Sequence, residues 1–188
     1  MPLPIFFMHE DDWGEIELLP VENRVRCLGV MNDLRVHSRL RAGGKSPGNA
    51  FVVPDMQQDC RLSERNIRVL ELCEQLEQSF TPAPLVQSGS STSMQTLCNA
   101  FAFGQAYGER GAFYGVQQEG IVFTLCLTLP HSIDPEILST YATALASLAV
   151  THDLFVLDWW HKRVVSVRDP APALAYLREY VPDSGVRL

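Results

Sequence analysis

The sequence predicts an α+β fold: a single domain over residues 1–188, with a largely antiparallel sheet built from hairpins and helices packed on it. Short apolar or alternating runs, bounded by Gly, Pro, Asn and Asp, recur as pairs joined by tight turns, which is how hairpins read. The steps Asp134-Pro135 and Asp169-Pro170 each open a segment whose apolar residues recur three and four apart, which is how buried helices read. Strands and helices alternate irregularly and no repeat period is visible, so a regular parallel β-α succession is not expected. At 188 residues, with 46% hydrophobic and 20% charged, the chain can bury one sizeable core.

Taken in order, Ile5 to Met8 reads as a strand, Asp11-Asp12-Trp13-Gly14 as a turn, and Glu15 to Leu19 as the returning strand, ended by Pro20. Glu22 to Leu40 reads as a helix whose Val25, Leu28, Met31 and Val36 share one broad face, weakened by Gly29. Residues 42–49, rich in Gly, read as a flexible loop, and Ala50 to Val53 as a short strand stopped by Pro54. Ser63 is placed to cap a helix carrying Val69, Cys73, Leu76 and Phe80, ended by Thr81-Pro82-Ala83-Pro84. Residues 87–93, Gln-Ser-Gly-Ser-Ser-Thr-Ser, read as a second flexible internal loop. Met94 to Tyr107 is ambiguous. Phe113 to Gln118 and Ile121 to Leu129 read as a hairpin turning at Glu119-Gly120. Asp134 caps a helix with Leu138, Tyr141, Leu145 and Leu148 as its buried stripe. Leu154 to Trp160 and Arg163 to Val167 form a last hairpin turning at His161-Lys162, followed by a helix carrying Leu174, Leu177 and Tyr180.

The net charge of −7, from 22 acids against 15 bases, argues against a nucleic-acid partner, whose phosphates need concentrated Lys and Arg. It suits a basic protein partner, since opposite fields speed encounter, and it also simply keeps a small protein soluble. The basic segment from Arg24 to Arg41 has no interleaved aromatics and reads as a solvated face. The longest apolar runs, such as Ile121 to Leu129, hold nine residues, whereas a membrane-spanning helix needs about twenty. The N-terminus has no basic segment ahead of its apolar residues and does not read as a secretory signal. Five widely spaced cysteines with no Cys-x-x-Cys pair suggest reduced thiols and a cytoplasmic protein, monomeric or a modest homo-oligomer.

No catalytic, cofactor or metal motif stands out. His9, Glu10, Asp11 and Asp12 cluster, but without EF-hand spacing, and no histidine pair has zinc-site spacing. Gly-x-Ser-x-Gly is absent, and Gly43-Gly44-Lys45-Ser46 lacks the leading glycine of a phosphate loop, because position 39 is Arg39. Glu10 and Asp158 have the chemistry of an acid and a base, if the fold brings them together. The expectation is therefore no enzyme, no cofactor and no metal. The alternative is a small cytoplasmic enzyme or ligand-binding protein using the acidic cluster, with or without a divalent metal.

What does stand out is that all three tryptophans lie beside carboxylates, in His9-Glu10-Asp11-Asp12-Trp13-Gly14-Glu15 and in Asp158-Trp159-Trp160-His161. Large aromatics beside fixed charge are the ingredients of a binding surface. In a strand, Trp159 and Trp160 point to opposite faces, so one can fill the core while the other is exposed, and Asp158 shares a face with Trp160. The expected partner-binding residues are Glu10, Asp11, Asp12, Trp13, Asp158, Trp159 and His161.

Phe7-Met8-His9-Glu10-Asp11-Asp12-Trp13-Gly14-Glu15-Ile16-Glu17-Leu18-Leu19-Pro20, followed by Glu22-Asn23, resembles the N-terminal signature of small bacterial immunity proteins, the antitoxin partners of polymorphic toxins. The hairpin at Leu157-Asp158-Trp159-Trp160, followed by a short helix, is similar to the ends of several such families. The resemblance covers two short stretches. It implies a cytoplasmic protein that binds one cognate toxin or effector domain and blocks its active site, and it carries over no catalytic residue.

Overall fold

The computed structural model describes residues 5–9, 15–42, 58–90, 93–104, 111–129 and 133–180. The fold is α+β, with an antiparallel sheet of eight strands between two covering layers and a smaller mixed sheet in one of them. Its strands are β1 (Ile5–His9), β2 (Ile16–Pro20), β3 (Thr81–Ala83), β4 (Leu85–Ser90), β5 (Ser93–Thr96), β6 (Ala100–Gly104), β7 (Ala112–Gln118), β8 (Ile121–Val122), β9 (Cys126–Thr128), β10 (Leu154–Asp158) and β11 (Arg163–Val165). Its helices are α1 (Arg24–Ala42), α2 (Val69–Leu76), α3 (Pro135–Thr151) and α4 (Pro170–Arg178). The large sheet runs β11-β10-β2-β9-β7-β6-β3, with β8 paired to β7, and the small sheet runs β1-β4-β5.

The alternation of side chains along each strand sorts them into two cores. Ile16 and Leu18 of β2, Phe113 of β7 and Leu154 and Val156 of β10 face one way, onto Leu72 of α2, Tyr141 and Leu145 of α3 and Leu177 of α4. On the opposite face, Leu19, Phe155, Leu157 and Trp159 meet Cys27 and Met31 of α1. Further along that face, Ala112, Tyr114 and Cys126 meet Phe6 and Val86 of the small sheet. A strand covered on both faces is largely apolar: all five residues of β10 are buried, four of them apolar and the fifth Asp158.

The first expected hairpin is not made: β1 leaves the large sheet and pairs parallel with β4, Ile5 opposite Leu85, while β2 pairs with β10 and β9. Burial of Phe6 against Val86 and Tyr114 rewards that placement. The turn expected at 11–14 lies outside the described residues, as do the strand expected at 50–53 and residues 43–49 of the loop expected at 42–49, whose first residue, Ala42, instead ends α1. The 87–93 stretch, expected as a loop, is mostly strand: β4 and β5 form a hairpin, Gln87 opposite Thr96 and Gly89 opposite Met94. A Cβ on Gly89 would fall 2.0 Å from the Ser93 carbonyl oxygen, so the glycine there permits a close approach of backbones rather than slack.

Helix α1 forms as expected, but Val25, Leu28 and Val36 are exposed, and it is Cys27 and Met31, four apart, that are buried. Ser63 sits in a 3-10 turn, Leu62–Arg65, closed by Asn66 at φ 53°, and α2 begins only at Val69, where the Glu71 carboxylate accepts from the Arg68 N–H at 3.3 Å. Thr81-Pro82-Ala83 is an edge strand, where proline is tolerated. The expected strand Ile121 to Leu129 divides into β8 and β9 around a bulge, since its register against β7 shifts by one residue between them. Gly115 lies opposite, where a Cβ would stand 1.9 Å from the Thr124 carbonyl oxygen. Asp134 caps α3 as expected, its carboxylate accepting from the Glu136 N–H at 2.8 Å, and Leu138, Tyr141, Leu145 and Leu148 are its buried stripe. In α4, Leu177 is buried as expected, with Ala173 and Tyr176.

Candidate functional site

Glu15, the last residue of the first acidic-aromatic stretch, meets the second stretch at one end of the large sheet. Asp158 is opposite Ile16 in the β10–β2 ladder, and the Trp159 N–H donates to the Glu15 carbonyl at 3.0 Å. The end of β10 then turns through Trp159 to Lys162, with Lys162 at φ 53°, and returns as β11. Adjacent residues of this turn take opposite fates. Trp159 is 5% exposed and packs against α1, whereas Trp160 is 69% exposed.

Asp158 fixes the turn from within. It is fully buried and is hydrogen-bonded to the His161 backbone N–H at 2.8 Å, to His161 Nδ1 at 3.0 Å and to Arg163 Nε at 3.2 Å. Arg163 lies opposite Asp158 in the hairpin register and also donates to Glu179 at 2.9 Å, with its guanidinium 5.0 Å from the centre of the Tyr176 ring. Burial lowers the pKa of Arg163, but its bonds to Asp158 and Glu179 outweigh that and hold it above the ordinary arginine value. The Tyr180 ring meets His161 edge-on at 4.8 Å, and the Tyr176 hydroxyl donates to that of Tyr180 at 3.3 Å. Burial pushes both tyrosines well above the ordinary phenol range, so both stay protonated. The result is a hairpin tip tied to the end of α4 by a hydrogen-bonded charge cluster with the buried Asp158 at its centre.

On the other face of the sheet, Trp159 Nε1 donates to Glu17 Oε2 at 2.9 Å. Burial pushes the Glu17 carboxyl up, partly offset by that bond. Burial, with the nearby Glu17 and Asp59 charges, pushes the Cys27 thiol up to about 11, and burial with Glu17 pushes Cys126 well up. Thiols held this way are poor nucleophiles at neutral pH. None of the five cysteines is in a disulfide. Among the described residues, no group of three or more His, Cys, Asp or Glu is placed to hold a metal ion.

Of the expected contact residues, Glu10, Asp11, Asp12 and Trp13 lie outside the described residues. Asp158 and Trp159 face inward and shape the tip, and His161 stands partly open beside it. Sequence reasoning left out Trp160, Arg163, Tyr176, Glu179, Tyr180 and Glu17. Two signals pointed to some of them: a hairpin turning at 161–162 places 163 opposite 158, and Tyr176 and Tyr180 are four apart on a helix. No family model, curated protein or solved structure matches the chain. No helix among the described residues is long and apolar enough to cross a membrane.

Proposed function

We propose that the chain is an immunity protein, which binds a cognate toxin domain, one of basic character, and neutralises it by occluding its active site. It acts in the cytoplasm, by binding alone, with no cofactor. The observation that carries this reading is Trp160: a large aromatic left 69% exposed on a tip whose conformation is fixed by the buried Asp158. Such an anchor loses little conformational entropy on binding and fills a cleft in a partner. Trp160 and His161 then make contact while Asp158 and Trp159 position them, and Glu15 adds a carboxylate at the same end of the sheet. Truncating a buried aromatic anchor costs about 2 kcal/mol or more, roughly thirty-fold in affinity.

The test is co-expression with candidate basic toxin domains encoded by neighbouring genes. The parent chain should restore growth and bind the purified toxin, and Trp160→Ala should weaken binding at least about thirty-fold with unchanged melting. A chain that gives no protection, or a Trp160→Ala variant that binds as tightly as the parent, overturns the reading. The alternative, a small enzyme or ligand-binding protein, is favoured by one feature: an imidazole held at Nδ1 by a buried carboxylate is how a general base is oriented. Under that alternative His161→Ala abolishes a turnover, whereas toxin binding needs none.

A further inference from the structure

Two helices on opposite faces of the large sheet carry outward surfaces of complementary character. Helix α1 packs through Cys27 and Met31 on one face, and α2 packs through Leu72 and Leu76 on the other. Outward on α1, Arg24, Leu28 and Arg35 follow one stripe at spacings of four and seven, beside Val25, which is 82% exposed, and Val36. Between the two valines a Cβ on Gly29 would meet nothing within 4 Å, so another backbone can come close there. The α1 segment, residues 24–42, holds five arginines against Asp33 alone, in a chain of net charge −7. Outward on α2, Leu70, which is 68% exposed, is followed at spacings of four and three by the exposed Glu74 and Glu77. One surface is apolar with arginines, and the other is apolar with glutamates.

We infer that the occupant of the α1 surface is a second copy of this chain, docked through its α2 surface. Arg24 and Arg35 face Glu74 and Glu77 of the second copy, while Leu28 and Val25 cover its Leu70. Complementary charge selects this pairing over α1 against α1 or α2 against α2, each of which sets like charges together. Because the two surfaces are different and lie on opposite sides of one molecule, the contact is head-to-tail. It leaves a free α1 at one end and a free α2 at the other, so it adds further copies or closes into a ring rather than stopping at a two-fold dimer. The contact uses neither Trp160 nor His161 and is independent of the toxin-binding reading.

The test is sedimentation velocity of the purified chain over a range of concentrations, at about 0.01 M and about 1 M salt, between which the screening length falls from about 30 Å to about 3 Å. At low salt the mass should rise with concentration above the single-chain 21.0 kDa, and at high salt it should return to it. The double substitution Arg24→Glu with Arg35→Glu, and separately Glu74→Arg with Glu77→Arg, should each raise the concentration of half-association at least about tenfold. An equal mixture of the two variants should restore it, since each then supplies the charge the other needs. Val25→Asp, at a position too exposed to endanger folding, should weaken association as well. Circular dichroism checks that every variant is folded. A mass of 21.0 kDa at every concentration in low salt overturns the proposal. So does association that salt, the charge reversals and Val25→Asp leave unchanged, or a mixture that fails to restore it.

Discussion

Neighbouring tryptophans with opposite burial allow the hairpin geometry to be tested without knowledge of a partner. Trp159 is 5% exposed, packs against Cys27 and Met31, and donates Nε1–H to Glu17 at 2.9 Å. Replacing a buried tryptophan by alanine costs about 3–5 kcal/mol, from lost apolar burial and the cavity left behind. For a chain of this length each kcal/mol moves the midpoint by about 2–4 °C, so Trp159→Ala should lower Tm by roughly 10 °C. Trp159→Phe keeps most of the ring volume but removes the donor, leaving the half-buried Glu17 carboxyl without that bond, at a cost of about 1–3 kcal/mol. Adding Glu17→Leu to that variant should recover part of the loss, because the desolvated acceptor is then gone too. Trp160 is 69% exposed, and Trp160→Ala should stay within about 0.5 kcal/mol, or roughly 2 °C. Thermal unfolding followed by circular dichroism reads all four. Equal losses for the two alanine variants, or a Trp159→Ala variant that melts with the parent, would show that the turn is built differently.

Three further outcomes are expected. Burial raises the Glu17 pKa above 4.5, so between that value and its folded pKa the folded state holds a proton that the unfolded state has lost. Stability from this group therefore falls as pH rises above about 4.5, and Glu17→Gln, which keeps an acceptor for Trp159, should flatten that slope in melting curves and raise Tm at neutral pH. Asp158→Ala leaves the part-buried Nδ1–H and backbone N–H of His161 without their acceptor, while Arg163 keeps Glu179; urea unfolding should show a loss of about 3 kcal/mol, and affinity for the proposed partner should drop with it because the tip loosens. Gly115→Ala, with its Cβ 1.9 Å from the Thr124 carbonyl, forces the β7–β9 bulge apart and should cost more than the surface change Gly29→Ala, where nothing lies within 4 Å and helix propensity makes the substitution stabilising by up to about 1 kcal/mol.

The helices α3 and α4 were legible because their signals are local. An Asp-Pro start and apolar residues three and four apart act within a few turns of chain, and both helices follow them. The β10–β11 hairpin was legible for the same reason, since its turn lies between two strongly apolar runs. Where the reading missed, a distant partner decided the outcome. Gln-Ser-Gly-Ser composition says loop, yet β4 is a strand because β1, about eighty residues away in sequence, pairs along it and buries Val86 against Phe6. Val25, Leu28 and Val36 are as apolar as Met31, and only the position of β10 and β11 under α1 sets which side is buried.

The sequence by itself determined the α+β class, the antiparallel pairing of the 113–129 and 154–167 segments, the helices α3 and α4 and the weight of aromatic and acidic residues in its first and last thirds. Periodicity, capping and turn chemistry are short-range terms that do not depend on the rest of the fold. The tertiary structure alone decided that Glu15 meets Trp159, that Trp159 is core and Trp160 surface, that Asp158 is the buried acceptor holding the tip, and that Arg163, Tyr176, Tyr180 and Glu179 gather around it. Burial and hydrogen bonding of these groups depend on which strands and helices lie alongside. That is fixed by the summed packing of both faces of the sheet, and no local window of sequence contains it.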